Sequence, residues 1–228
     1  METKNKAYYF DVLYPFQDQV LQLVTRLGTG FYLTGGTAAS RGYLQHRFSD
    51  DLDLFVNDDP NFVLWADRIV QALSLQPTWR TSVLLRQERF FRLTVGSERV
   101  FLKIEMVNDV PSRVGTPWQH PVLGWLDTAE NILANKVSAL IDREEPKDLA
   151  DIWGFCCRYG LSLNDAITGA QGKAAGIFPA DLARVLCSVT SDDWNLVRWI
   201  EAPPVEVFIQ DLKTLGERLI LGTITHGR

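Results

Sequence analysis

Residues 33–37 read Leu-Thr-Gly-Gly-Thr, and residues 51–55 read Asp-Leu-Asp-Leu-Phe. The first stretch ends an apolar run at two glycines, which predicts a short buried strand over 31–34, a tight turn, and a helix over 37–44. The second alternates acidic with apolar residues, as a strand with one buried face does. We therefore expect a strand, a turn, a helix and a second strand over 51–56.

Asp51 and Asp53 are predicted to lie on one face of the second strand, because successive side chains of a strand alternate. Two carboxylates so close repel each other unless a cation lies between them. Mg²⁺ is bound by one or two carboxylates together with substrate phosphates. Two metal ions roughly 3.5–4 Å apart could activate an attacking hydroxyl and neutralise a leaving pyrophosphate. The pair therefore predicts a two-metal magnesium site for a nucleoside triphosphate (NTP).

Gly35, Gly36 and Thr37 have two interpretations. Free N–H groups at a helix N-terminus favour an anion, which makes the turn a phosphate-binding loop. The alternative is a tight turn in which Thr37 caps the helix. The aspartate pair that follows favours the phosphate interpretation. Arg47 is a further candidate for nucleotide binding, with a structural role equally open, whereas a structural role at the surface is favoured for His46.

Glu105 is a candidate third carboxylate. Residues 100–107 alternate between an apolar set and a polar set that contains Lys103 and Glu105. If this strand lies beside the 51–56 strand with the polar faces matched, Glu105 could ligate a metal or accept the proton of the attacking hydroxyl.

The chain changes character near residue 110. Before it, the patterns predict helices over 10–27 and 62–75 and strands over 78–86, 89–95 and 100–107. A proline- and glycine-rich loop over 109–121 follows, and then helices only, over 127–141, 146–159, 162–168, 179–189 and 205–219. This organisation predicts an α+β fold with a mixed sheet. The expected domains are a nucleotidyltransferase catalytic lobe over 1–110 and a helical lobe over 111–228 that completes the nucleotide site.

Lys136 and Asp148 lie on the apolar stripes of two of these helices. A lysine on a buried seam is costly unless it meets an anion, and a triphosphate would be one such anion. For Asp148, catalysis and structure are equally open. The structural alternatives are an interaction with the helix dipole or an ion pair with Lys136 or Arg143 that links the two helices.

Composition narrows the class of protein. The 228 residues include 23 basic and 28 acidic ones, giving a net charge of −5, so a nucleic-acid surface would have to be local. The three cysteines lack metal-ligand spacing with the three histidines. No leader-like segment opens the chain, and no apolar run approaches the roughly 20 residues of a membrane helix. We expect a cytoplasmic protein without a membrane partner.

Together these motifs resemble a known family. The sequence G-G-T is followed by H-R-x-S-D-D-L-D-L-F, then N-K-V-S-A-L-x-x-R and P-K-D-L-A-D-I-W. This combination, over residues 31–153, resembles the AbiEii/AbiGii toxin-type nucleotidyltransferases of the polymerase-β-like superfamily. Thr37 stands where related enzymes often carry serine, and it retains the hydroxyl group of that serine.

The resemblance implies a two-lobed protein with the metal site on an N-terminal mixed sheet. It assigns metal binding to Asp51 and Asp53, phosphate contact to the Gly-Gly-Thr turn, and the later motif positions to Lys136 and Asp148. It also implies a nucleotidyltransferase whose acceptor is RNA, tRNA first, and a toxin restrained by a cognate antitoxin. A small-molecule acceptor and a non-catalytic nucleotide-binding regulator are the alternatives.

Overall fold

The computed structural model describes residues 6–173 and 176–225, without the side chains of 223–225. The chain divides into two compact units. The sheet unit comprises the residues up to Ala38, Ser49–Pro111 and Thr116–Asp127, and the helical unit comprises Ala39–Phe48, Ser112–Gly115 and the residues from Thr128 onward. Each unit draws on three stretches of the chain. The division into functional lobes over 1–110 and 111–228 stays a prediction.

The sheet unit is built on a mixed β-sheet, with seven strands in the part of the chain that the structure describes. The strands are β1 (Tyr32–Thr34), β2 (Leu52–Asn57), β3 (Arg80–Arg86), β4 (Phe90–Gly96), β5 (Phe101–Asp109), β6 (Trp118–His120) and β7 (Gly124–Leu126). Their order is β3-β4-β5-β2-β1-β7-β6. Strand β2 pairs parallel with β5 and antiparallel with β1, and β1 pairs parallel with β7. The predicted α+β fold with a mixed sheet is confirmed.

The sheet unit also contains helices. They are α1 (Lys6–Tyr8), a π-helical segment (Tyr9–Leu13), α2 (Tyr14–Arg26), the single turn α3 (Gly35–Thr37) and α4 (Phe62–Ser74). The ring of Phe62 packs edge-on against Phe91 of β4, with centroids 5.6 Å apart. Burial of each such side chain contributes about 1.5–3 kcal/mol to folding.

The alternation of β2 and β5 separates a core face from a polar face. Leu52 and Leu54 on β2 are buried, as are Ile104 and Met106 on β5, because these residues belong to the core. The intervening residues of both strands are partly exposed on the opposite face. The polar side chains predicted to form a site therefore occupy a face that the core does not need.

The helical unit contains the remaining helices. They are a π-helical segment (Ala38–Leu44, of which Ala38 belongs to the sheet unit), α5 (Ala129–Arg143), α6 (Pro146–Trp153), a second π-helical segment (Gly154–Arg158), α7 (Leu163–Gln171), α8 (Pro179–Cys187), α9 (Ser191–Leu196) and α10 (Val205–Thr225). No helix among the described residues combines the length and the apolar character needed to cross a bilayer.

Three local predictions are wrong. Strands β6 and β7 lie where the sequence predicted a loop and then helices only, because three-residue strands beside proline and glycine carry too few alternations to be recognised. Helix α9 was missed because it has only six residues, although its capping box of Thr190 and Asp193 is a sequence signal. The helix predicted from Thr37 begins two residues earlier, at Gly35.

Candidate active site

The three candidate metal ligands lie on the polar face of the sheet unit. Strands β2 and β5 are neighbours, and Asp53 stands directly opposite Glu105 in the parallel register. Asp51 immediately precedes β2. The expected pairing of the two strands with matched polar faces is confirmed, and the sheet places Glu105 beside the aspartate pair.

Gly35 shapes the surroundings of Asp53. Thr34 pairs with Asp53 across β1 and β2, so the turn that follows β1 passes close to this carboxylate. A Cβ atom at Gly35 would lie 2.0 Å from Oδ2 of Asp53, far inside van der Waals contact. Gly35 also has φ +68°, a left-handed conformation that glycine adopts without steric cost. Both the space and the backbone conformation therefore require glycine here.

The hydroxyl of Thr37 points into the protein. Thr37 is fully buried, and its Oγ1 lies 2.5 Å from the main-chain oxygen of Asp51 and 2.9 Å from Oγ of Ser49. The alternative in which Thr37 caps the helix is wrong, because the helix begins at Gly35. Thr37 instead ties the glycine turn to the segment that carries Asp51.

Two cations that received no role in the sequence interpretation neutralise the acidic face. Nζ of Lys103 lies 2.8 Å from Oδ2 of Asp51 and 3.3 Å from Oε1 of Glu105. Nε of Arg92 donates to the same Oε1 of Glu105 at 2.8 Å. Burial acts to lower the pKa of Lys103, but the hydrogen bond and charge of Asp51 outweigh it, so the pKa is raised. Lys103 therefore carries its charge at neutral pH. The sequence could have indicated this role, because Lys103 precedes Glu105 by two residues and so shares its strand face.

The donor set is suited to Mg²⁺, a hard cation that takes oxygen ligands. In residues 6–173 and 176–225, no three His, Cys, Asp or Glu side chains are gathered closely enough to enclose a metal ion by themselves. Mg²⁺ does not need such a cage, because one or two carboxylates and the substrate phosphates suffice. Asp51 and Asp53 would supply those carboxylates, and the missing side chain of Gly35 leaves room for the carboxylate of Asp53.

The other predicted site residues belong to a buried charge cluster of the helical unit. Nζ of Lys136 lies 2.8 Å from Asp148 and 2.7 Å from Asp151, and Nε of Arg143 lies 2.8 Å from Asp148. Arg47 donates through Nε and Nη2 to both carboxylate oxygens of Asp151, at 2.7 Å each. The ion pairs that were left open as a structural role for Asp148 are therefore present. Asp151, which the sequence interpretation missed, is the shared anion, and its position three residues after Asp148 on one helix was the available signal.

His46 completes this cluster from the interior. Its side chain is fully buried, with Nε2 2.9 Å from Oδ1 of Asp151 and its ring packed against Trp199. The expected surface position is wrong, because main-chain hydrogen bonds hold residues 46–48 against residues 198–200 of the helical unit. Burial lowers the pKa of His46 more strongly than Asp151 raises it, so the ring is neutral at pH 7.

The charges of the cluster stabilise one another. Burial acts to raise the pKa of Asp151, but Arg47 and Lys136 outweigh it and hold the pKa well below the ordinary range. Burial acts to lower the pKa of Lys136, but Asp151 and Asp148 outweigh it, so its pKa is raised. All three side chains are therefore charged at neutral pH. The nucleotide roles of Arg47, Lys136 and Asp148 stay predictions.

Replacing Asp151 with Asn should lower the free energy of unfolding at pH 7 by about 3–5 kcal/mol, because two buried cations lose their shared anion. The folded pKa of Asp151 lies below the unfolded value of about 3.9, so its ion pairs stabilise the fold above that pH and the stabilisation is lost as the pH falls through the folded pKa. The variant should therefore lose less stability than the wild type in acid. Urea unfolding from pH 7 to about pH 2 measures both effects.

Asp142→Asn is the matched control, since Asp142 is exposed on α5. It should change the free energy of unfolding by no more than about 0.5 kcal/mol. Equal losses in the two variants would show that the buried cluster does not stabilise the helical unit.

Comparison with known proteins identifies the family. A family model described as "Nucleotidyl transferase AbiEii toxin, Type IV TA system" matches residues 23–167. No curated protein sequence matches significantly. Among solved structures, JHP933 from Helicobacter pylori is 18% identical with a TM-score of 0.61, over 93% of this chain and 94% of that one. MenT4, a nucleotidyltransferase toxin from Mycobacterium tuberculosis, is 18% identical with a TM-score of 0.65, over 95% and 86%.

At these identities the solved structures show a shared fold. The family model covers more than half of the chain and includes the glycine turn, both aspartates and Glu105. The chain therefore belongs to the AbiEii nucleotidyltransferase toxin family and is a nucleotidyltransferase.

Proposed function

We propose that this nucleotidyltransferase is metal-dependent and moves a nucleoside monophosphate from an NTP to a hydroxyl of RNA, with tRNA as the first acceptor to test. The observation that carries the proposal is the juxtaposition of Asp51, Asp53 and Glu105 on one sheet face beside Gly35. These three carboxylates lie on a face that does not pack in the core, so core packing does not explain why they are close together. They are suited to a cationic cofactor and a polyanionic substrate.

In the proposed reaction the acceptor oxygen bonds to the α-phosphorus of the NTP, and the bond from that phosphorus to the bridging oxygen of the pyrophosphate breaks. Asp51 and Asp53 would hold Mg²⁺, which supplies neutralisation of the leaving pyrophosphate and activation of the hydroxyl. Glu105 would complete the metal site or accept the hydroxyl proton. Gly35 and Gly36 would offer main-chain N–H groups to the phosphates, since the Thr37 hydroxyl is used internally.

An RNA acceptor is supported by local charge in the sheet unit. Residues 80–103 contain six basic and two acidic residues, although the whole chain has a net charge of −5. Four of the six basic side chains form ion pairs with acids, namely Arg86, Arg89, Arg92 and Lys103. Arg80 and Arg99 are exposed at the two ends of this stretch. Phe101 is 65% exposed at the start of β5, and exposed aromatic rings stack nucleobases. This surface is suited to a phosphate backbone.

The family supports a role as the toxin of a toxin–antitoxin pair, with a cognate antitoxin as its protein partner. We propose this role with the reaction, because modification of RNA acceptors would stop translation. We propose that the protein acts in the cytoplasm. A small-molecule acceptor is the rival, and labelled product distinguishes the two.

The double variant Asp51→Asn/Asp53→Asn should lower nucleotidyl transfer by at least about a hundredfold, because Mg²⁺ loses its carboxylate ligands and the phosphate charge is no longer neutralised. The measurement incubates the protein with Mg²⁺, total RNA and each α-³²P-labelled NTP in turn. The control Asp142→Asn/Asp165→Asn also removes two negative charges, but from exposed helix positions, and should retain activity. Label in small molecules alone would contradict the RNA acceptor. Equal transfer by the two double variants would contradict the proposed metal ligands.

Gly35→Ala should lower transfer by about a hundredfold, because a Cβ atom there displaces the Asp53 carboxylate. Gly28 is the matched control. Its φ is +62°, close to that of Gly35, but a Cβ atom would meet nothing within 4 Å. Gly28→Ala should therefore share the backbone strain of about 1 kcal/mol and keep its activity within about twofold. If both variants lost activity equally, backbone strain rather than the position of Asp53 would be the cause.

A further inference from the structure

The ammonium group of Lys103 lies between two of the three carboxylates assigned to metal binding. It is 2.8 Å from Oδ2 of Asp51 and 3.3 Å from Oε1 of Glu105, so one positive charge is shared by acids on two strands. Its side chain is 37% exposed, so it is held at the surface and not locked in the core. It has the position, sign of charge and ligands of a stand-in cation.

The sheet builds this arrangement. Lys103 and Glu105 alternate onto the same face of β5, and the parallel register sets Glu105 opposite Asp53. Lys103 stands opposite Thr94 of β4, which is buried, so the lysine has β4 on one side and β2 on the other. The stem therefore carries the ammonium group along the sheet towards Asp51.

A divalent cation and the Lys103 ammonium compete for Oδ2 of Asp51 and Oε1 of Glu105. Mg²⁺ binds carboxylate oxygens at about 2.0–2.1 Å, and a second positive charge within hydrogen-bonding distance of the same carboxylates repels it strongly. A metal that takes these two oxygens would therefore displace Lys103. The displaced ammonium needs another anion, and the triphosphate of the substrate would be the nearest that the reaction supplies.

Arg92 provides the internal comparison. Its guanidinium contacts the same Oε1 of Glu105, at 2.8 Å, and it also carries one positive charge on this face. The ion pairs of the described residues join Arg92 to Glu105 and not to Asp51. Arg92 adds only to the electrostatic field of the site, whereas Lys103 occupies the position proposed for the metal. Experiments on the two residues can therefore separate these effects.

We propose that Lys103 is a resident counter-ion that a divalent metal must displace, so that metal loading and the transfer of Lys103 to the nucleotide phosphates are one coupled event. This inference rests on the proposed metal-dependent function, and it adds that nucleotide binding promotes metal binding. Without nucleotide the metal competes with Lys103 and binds weakly. With nucleotide the phosphates accept the lysine and the metal binds tightly.

The test measures Mn²⁺ binding to the full chain without nucleotide, from the electron paramagnetic resonance signal of free Mn²⁺. Lys103→Met keeps most of the stem and removes the charge, and it should bind Mn²⁺ about tenfold more tightly than the wild type. Arg92→Met should change the affinity by less than about threefold, because it acts only through screened charge. Circular dichroism checks that each variant is folded.

A second measurement adds each of the four α,β-methylene NTPs, which cannot release pyrophosphate. The non-reacting nucleotide that binds should raise Mn²⁺ affinity strongly in the wild type and much less in Lys103→Met. Wild-type affinity in Lys103→Met without nucleotide would overturn the inference. So would equal gains in Lys103→Met and Arg92→Met, or the absence of Mn²⁺ binding in every variant.

Asp51→Asn separates this inference from the function on which it rests. If Asp51→Asn abolishes Mn²⁺ binding and Lys103→Met leaves it unchanged, the metal site stands and the role of Lys103 fails. If Asp51→Asn binds Mn²⁺ as the wild type does, the proposed metal ligands fail first.

Discussion

The close approach of the Gly35 turn to the Asp53 carboxylate is the constraint on which the polar face of the sheet unit depends. Because position 35 has no side chain, β1 can end in a left-handed turn directly beside Oδ2 of Asp53. Thr37 then fastens the turn to the main chain of Asp51. The absence of a side chain at Gly35 and the buried hydroxyl of Thr37 thus fix the turn relative to both aspartates.

The two units neutralise their carboxylates in different ways. In the sheet unit, Lys103 and Arg92 are partly exposed, so their ion pairs add little to stability and can be exchanged for other charges. In the helical unit, Asp151 is fully buried, and loss of any one partner leaves an uncompensated charge. Exchangeable pairs are suited to binding and release of ligands, whereas buried pairs are suited to holding helices together.

This contrast bears on which residues do chemistry. Asp51, Asp53 and Glu105 lie where ligands can reach them and where charge can be replaced, as the proposed metal- and nucleotide-dependent reaction would require. Arg47, Lys136 and Asp148 are already engaged in a dense cluster of opposite charges. Their family motif positions are explained at least in part by the stability of the helical unit.

The sequence by itself determined the mixed α+β fold and the strand carrying Asp51 and Asp53, and it predicted a polar strand face with Glu105 as a candidate third acid, because glycine pairs and period-two alternation are local signals. It missed β6, β7 and α9, which are too short to show a period. Only the tertiary structure decided that Lys103 lies between Asp51 and Glu105, that Asp151 joins His46, Arg47 and Lys136, and that Gly35 must lack a side chain. These contacts join residues that are distant in the sequence. Strand register and helix packing decide which of those residues become neighbours.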